Sequence, residues 1–203
     1  MRTADAGSAG ERVYRESYEC EKNMAADMIL TLNGQHFRRH YLLYIIEILH
    51  GSDVHYYIGQ TGDTHATTAR PAFRRLAGHL EDRGRSTENQ VYRYLAVKIL
   101  GFAEASDRDE NFQENVKQAV EDYLVESTLK MHIYILQEFP PDIKREVHLL
   151  NVRKVTLFEN MIINRFITNQ KKIGNKKISR IPNGVECPYP EILNRIQTDF
   201  FLI

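Results

Sequence analysis

The stretch Tyr41-Leu42-Leu43-Tyr44-Ile45-Ile46-Glu47-Ile48-Leu49, then Gly51-Ser52-Asp53, then Val54-His55-Tyr56-Tyr57-Ile58-Gly59, decides how this chain folds. Its two outer runs are rich in β-branched and aromatic residues, which suit a pleated surface. A glycine-bearing turn joins them, so they read as a β-hairpin. Gln60 to Ala69 is small and polar and reads as a loop. Pro71 opens a helix at a point where its missing N–H is harmless, and that helix is predicted to run to about Glu81. Arg83-Gly84-Arg85 breaks it. Ser86 caps a further helix through Leu100, and Ser106 or Asp107 caps an acidic helix ending near Glu126. Lys130 to Gln137 is a third strand, closed by Pro140-Pro141-Asp142. From about Lys144 a long helix carries Val147, Leu150, Val155, Phe158, Ile162 and Phe166 on one stripe. At the front, Glu11 to Leu32 has helical spacing; at the back, the tail from Lys171 is basic, proline-punctuated and irregular. The order predicts an α+β fold with a small, mainly antiparallel three-stranded sheet flanked by helices, plus a helical N-terminal extension and a helical insertion.

The 203 residues suffice for one domain, and 42% apolar with 27% charged residues is an ordinary globular composition. Disordered, collagen-like and coiled-coil classes are excluded. The longest apolar run is a handful of residues near Tyr41–Ile46, too short to span a bilayer. The first residues lack the apolar core of a signal peptide, and Cys20 and Cys187 are the only cysteines. The expectation is a cytoplasmic chain with no membrane partner. Lys plus Arg and Asp plus Glu both number 27, so the formal net charge is zero. The balance conceals segregation: Glu104 to Glu126 holds eight acids against two bases, so the rest of the chain is positive by six. One basic cluster is Arg70, Arg74, Arg75, Arg83 and Arg85; another is Lys171, Lys172, Lys176, Lys177 and Arg180. Such clusters present a positive face to a phosphate backbone, or simply edge solvated helices.

Tyr44-Ile45-Ile46 on one strand and Tyr57-Ile58-Gly59 on the next, followed by a polar loop, a helix bearing Arg75 and His79, a third strand and a long helix bearing Glu159, resembles the GIY-YIG nuclease family. The resemblance covers roughly residues 41–183, interrupted from about 83 to 128. One departure is that Leu42 or Leu43 stands where the family's first motif has Gly; another is that the Gln60–Ala69 loop lacks a Lys, with Arg70 the nearest cation. The family's final Asn has Asn175 as its best candidate and Asn183 as its second. The resemblance implies a Mg²⁺- or Mn²⁺-dependent endonuclease acting on double-stranded DNA. It implies catalytic roles for Tyr44, Tyr57, Arg75, His79, Glu159 and Asn175, with Glu159 the metal ligand. A compact, stand-alone core of this size is most similar to the family's type II restriction enzymes, which suggests a homodimer on a palindromic site. It divides the chain into an extension (1–40), a core (41–183) with its insertion, and a tail (184–203) packed on the core. Rival readings are a non-catalytic nucleic-acid-binding or interaction domain of the same fold, and a non-specific DNase or RNase toxin.

The chemistry of these residue types fits that reading. Phosphodiester hydrolysis needs a base for water, a stabiliser of added negative charge, and help at the leaving oxygen. A tyrosine becomes a better base when cations lower its pKa from about 10. Arg75 and His79 are four apart and share a helix face. Arginine holds phosphate bidentately, and histidine moves protons near neutral pH. A single carboxylate suits Mg²⁺, which keeps several waters. Each residue also has an ordinary alternative: strand aromatics, an amphipathic polar face, a solvent-facing glutamate. The cationic residues Arg70, Arg74, Arg83, Arg85, Lys171, Lys172, Lys176 and Lys177 are the expected phosphate contacts.

Overall fold

In the computed structural model the hairpin forms the centre of the sheet. Strand β1 (His40–His50) pairs antiparallel with β2 (Asp53–Gln60), with His50 opposite Asp53. Only Gly51 and Ser52 lie between, and Gly51 takes a φ of 56°, the left-handed region that lets so short a loop reverse the chain. The structure describes residues 31–81, 89–102, 110–175, 179, 181–182 and 184–202, with side chains from 114 onward in the third helix. The N-terminal helix expected over Glu11–Leu32 lies almost wholly outside them.

Strand β3 (Ser127–Glu138) lies on the other side of β1, antiparallel. A fourth strand, β4 (Lys172–Ile173), runs parallel to β2 and gives the order β3-β1-β2-β4. The fold is α+β as the sequence indicated, but the sheet has four strands and mixed direction. Two residues are too few for a periodic signal, so β4 was hidden in what reads as an irregular tail.

Both faces of β1 are buried. Leu42, Tyr44, Ile46 and Ile48 point to one face; Leu43 and Ile45 point to the other. The first face is covered by α1 (Ala72–Leu80), α2 (Gln90–Tyr94, continued by a π turn over Leu95–Ile99) and α3 (Glu110–Val125). Val91, Leu95, Val116 and Val120 complete that core. The acidic insertion therefore supplies part of the hydrophobic interior through Val116 and Val120, with Glu114, Glu121 and Asp122 on its outer surface. The second face is covered by α4 (Arg145–Thr168) and α5 (Pro190–Phe200). Helix α5 replaces the irregular C-terminal tail of the sequence reading: Pro190 sits at its first turn, where proline is tolerated, and Ile196 is buried.

Helix α4 departs from its expected stripe at the start. Val147 and Leu150 are exposed, whereas His148 and Asn151 are buried. From Val155 onward the stripe is as expected, through Phe158, Ile162 and Phe166. The buried face at the start is polar because it meets Tyr41 and the 61–70 loop, which offer hydrogen-bonding groups.

Candidate active site

Tyr44 lies opposite Gly59 across the hairpin. A Cβ at position 59 would overlap the Tyr44 hydroxyl and ring, so only glycine lets the phenol lie over β2. Helix α1 packs on this face and presents Arg75 and His79 one turn apart. Their side chains converge on one atom: Arg75 Nε and Nη2 donate to Tyr44 Oη at 3.1 and 2.9 Å, and His79 Nε2 lies 2.6 Å from it. Guanidinium groups only donate. Tyr44 Oη thus accepts twice from Arg75, and its own proton points to His79 Nε2. Tyr57 packs against the His79 ring at 4.6 Å between centroids and lies 6.5 Å from the Tyr44 ring.

Tyr44 and His79 are wholly buried, while Arg75 is half-buried and reaches the surface. Burial pushes the Tyr44 phenol up to about 12; the Arg75 charge and its hydrogen bonds oppose that rise, and the Glu159 carboxylate adds to it. Tyr57 is held well above its ordinary value by burial, with Tyr44 and Glu159 adding to the effect. Glu159, half-buried on α4, is pushed up to about 7 by desolvation, which the nearby Arg75 only partly offsets. It makes no direct hydrogen bond or ion pair with another described residue. Among the described residues no three His, Cys, Asp or Glu side chains cluster as a metal cage.

Asn175 acts on backbone. Just past β4, its Oδ1 accepts from the Ile58 N–H at 3.0 Å and its Nδ2 donates to the Ile58 carbonyl at 2.7 Å. The side chain thus extends the β2 edge between Tyr57 and Gly59, as another strand residue would. In this arrangement Asn175 holds the backbone of the tyrosine strand at Ile58. Asn183 lies outside the described residues.

The cationic residues divide. Arg70, Arg74 and Arg75 line a cleft of about 750 Å³ beside α1, together with Arg39. Lys172 lies at the opposite end of β2, where it forms an ion pair with Asp53 beside the hairpin turn. At about 3.3 Å per residue, the turn and the cleft end of β2 are about 20 Å apart. Lys171 leads into that same strand. Arg83, Arg85, Lys176 and Lys177 lie outside the described residues. Arg39 is a cleft residue that sequence reading missed, although Arg38-Arg39 directly before the first strand was a visible basic pair.

No protein-family model, curated protein or solved structure matches this chain closely enough to show a relationship. Among the described residues no helix is long and apolar enough to cross a membrane.

Proposed function

We propose that this chain is a metal-dependent endonuclease of the GIY-YIG type that hydrolyses phosphodiester bonds in double-stranded DNA, a restriction-type enzyme acting as a homodimer on its site. The observation that carries this reading is the convergence of a guanidinium and an imidazole on one buried phenol oxygen. A merely structural tyrosine needs one partner; this one has a proton acceptor at 2.6 Å and a cation poised to stabilise the phenolate.

Arg75 places Nε and Nη2 on the Tyr44 oxygen. A guanidinium has five N–H donors. The remaining ones hold a phosphodiester through charge-assisted hydrogen bonds while the cation stays beside the phenol oxygen. The phenol proton passes to His79 Nε2, giving phenolate and imidazolium side by side. The phenolate takes a proton from water, the resulting hydroxide attacks phosphorus as the bond to the leaving oxygen breaks, and Arg75 stabilises the charge on the pentavalent phosphate. The leaving alkoxide takes a proton from solvent, and His79 returns its own, so the protons balance. Tyr57 holds the His79 ring in place through its packing. Mg²⁺ or Mn²⁺, when bound, stabilises charge at the leaving oxygen. Glu159 fits such an ion: it is a desolvated carboxylate without a direct partner among the described residues, and Mg²⁺ takes few protein ligands beside waters and phosphate. Neutralising Glu159 also removes its share of the force that raises the Tyr44 pKa.

The test is supercoiled plasmid DNA incubated with the chain and Mg²⁺ or Mn²⁺. Cleavage by the wild type, reduced roughly 10²–10⁴-fold in Tyr44→Phe, is expected. An intact plasmid with either ion rejects the nuclease reading.

A further inference from the structure

The cleft beside α1 has a composition unlike the rest of the surface. Arg39, Arg70, Arg74 and Arg75 face it, against two carboxylates, Asp63 and Glu81. Its other walls are apolar or small: Ala69, Pro71, Ala77, Gly78 and Leu80. Its volume falls within the about 300–1,000 Å³ typical of small-molecule sites. The arginines come from three segments that the fold brings together. Phe37 packs on Phe73 at 5.3 Å between centroids, which draws the chain just before β1, and with it Arg39, to α1. The Gly62–Ala69 bridge and the Arg70 N–H bond to the Thr61 carbonyl at 3.2 Å turn Arg70 toward the same place. Arg74 and Arg75 are neighbours on α1.

We infer that this cleft is a nucleotide subsite, taking the single nucleotide next to the scissile phosphate. Arg39, Arg70 and Arg74 face its phosphate, and its sugar and base lie against Pro71, Ala77 and Leu80. With Arg75 given to the neighbouring phosphate, Arg39, Arg70 and Arg74 against Asp63 and Glu81 leave one net positive charge, which suits one phosphodiester. Arg70 is ion-paired with Asp63 at 3.8 Å, so Arg39 and Arg74 are the main phosphate contacts. Glu81 offers an acceptor to a sugar hydroxyl or base amino group. Arg75 belongs to both places, contacting the Tyr44 hydroxyl and lining the cleft, so a nucleotide seated here puts its neighbouring phosphate at the phenol. This inference rests on the nuclease reading for its place in the reaction; the binding itself is independent of cleavage.

Glycine 78 supplies a clean test. It lines the cleft, and a Cβ there meets nothing within 4 Å, so the backbone has room for a side chain. A glycine within a helix is also less favourable to it than most other residues. Thymidine 5′-monophosphate, without metal, is titrated by calorimetry into the wild type and into Gly78→Leu, Arg39→Gln and Arg74→Gln. The wild type should bind saturably. Gly78→Leu should lose binding, and each arginine variant should weaken it about tenfold, the loss expected of one charged hydrogen-bonding group. On single-stranded DNA each arginine variant should reduce the slope of log affinity against log salt by about 0.7. No binding by the wild type, or unchanged binding by Gly78→Leu and Arg39→Gln, overturns the subsite. If the wild type binds the nucleotide but leaves plasmid intact, the subsite stands and the nuclease reading falls. If it cuts plasmid and Gly78→Leu has an unchanged KM, the nuclease reading stands and the subsite falls.

Discussion

Strand β1 carries two buried tyrosine–histidine pairs of the same length. Tyr44 meets His79 Nε2 at 2.6 Å on one face of the sheet, and Tyr41 meets His148 Nδ1 at 2.6 Å on the other. Both histidines are wholly buried. The pairs differ in their third member. His148 Nε2 lies 2.7 Å from the Asp63 carbonyl, which can only accept, so that nitrogen carries a proton, and Nδ1 is left to Tyr41. The second pair is thereby a tether: it ties β1 and α4 to the loop that bears Asp63 and Arg70. Arg145 reinforces it by donating to the Thr64 carbonyl at 2.5 Å. In the first pair the third member is a guanidinium on the phenol oxygen itself. That placement favours a phenolate, whereas a carbonyl on the far side of the histidine only holds the ring still. The lesson is that a short Tyr–His bond is not by itself a catalytic feature; the charge on the tyrosine side distinguishes the two.

The sharpest way to break this comparison is to remove each hydroxyl in turn. Tyr44→Phe should reduce the cleavage rate by roughly 10²–10⁴. Tyr41→Phe should leave kcat essentially unchanged and lower stability by about 1–3 kcal/mol, since it strands the buried acceptor on His148. Single-turnover cleavage and urea melts on both variants decide the matter; equal losses of rate would make the two pairs equivalent. Gly59→Ala probes the same site from beneath. The added methyl collides with the Tyr44 phenol, so this variant should lose most of its activity and about 1–3 kcal/mol of stability, as overpacking of a tight core does.

A smaller effect separates the candidate site from the rest of the molecule by pH. Folded Glu159 keeps its proton up to about pH 7, whereas the unfolded chain releases it near the ordinary carboxylate value of 4.5. Between these values the folded state binds more protons, so stability falls as pH rises, and the penalty is fully present above about pH 7. Without metal, Glu159→Gln should therefore be more stable than the wild type near pH 8 by about 1–3 kcal/mol and indistinguishable from it below about pH 4.5. Thermal melts across that range test this; saturating Mg²⁺ should stabilise only the wild type. The smallest expected effect is at the far end of β2. Lys172→Ala breaks an exposed ion pair with Asp53 and should change stability by about 0–1 kcal/mol, with no change in the salt dependence of DNA binding. A reduced salt slope would move the lysine stretch into the DNA-binding surface.

Much of the site was legible because its signals are local. Arg75 and His79 share a helix face by spacing alone, and Tyr44 and Tyr57 sit on hairpin strands recognisable by composition. Glu159 follows Phe158 and lies three residues before Ile162 on α4, so its partial burial has a visible cue in the apolar residues around it. His148 and Asn151 were missed because the apolar stripe was extended through Val147 and Leu150; a polar pair in register with Val155 at i−7 and i−4 was the available clue. Arg39 was missed because it precedes β1 and meets α1 only through the packing of Phe37 on Phe73.

By itself, the sequence determined the hairpin, the α+β class and the one-turn spacing of Arg75 and His79, because strand alternation, turn chemistry and helix period act between near neighbours. Tertiary structure alone decided three further matters. It put both α1 side chains on the Tyr44 oxygen, it gave the Asn175 amide to the Ile58 backbone, and it separated Lys172 from the arginine cleft by the length of β2. These depend on which strand edge pairs with which segment and on which helix covers which face. Such choices are made by burying distant surfaces together, and no local pattern in the chain encodes them.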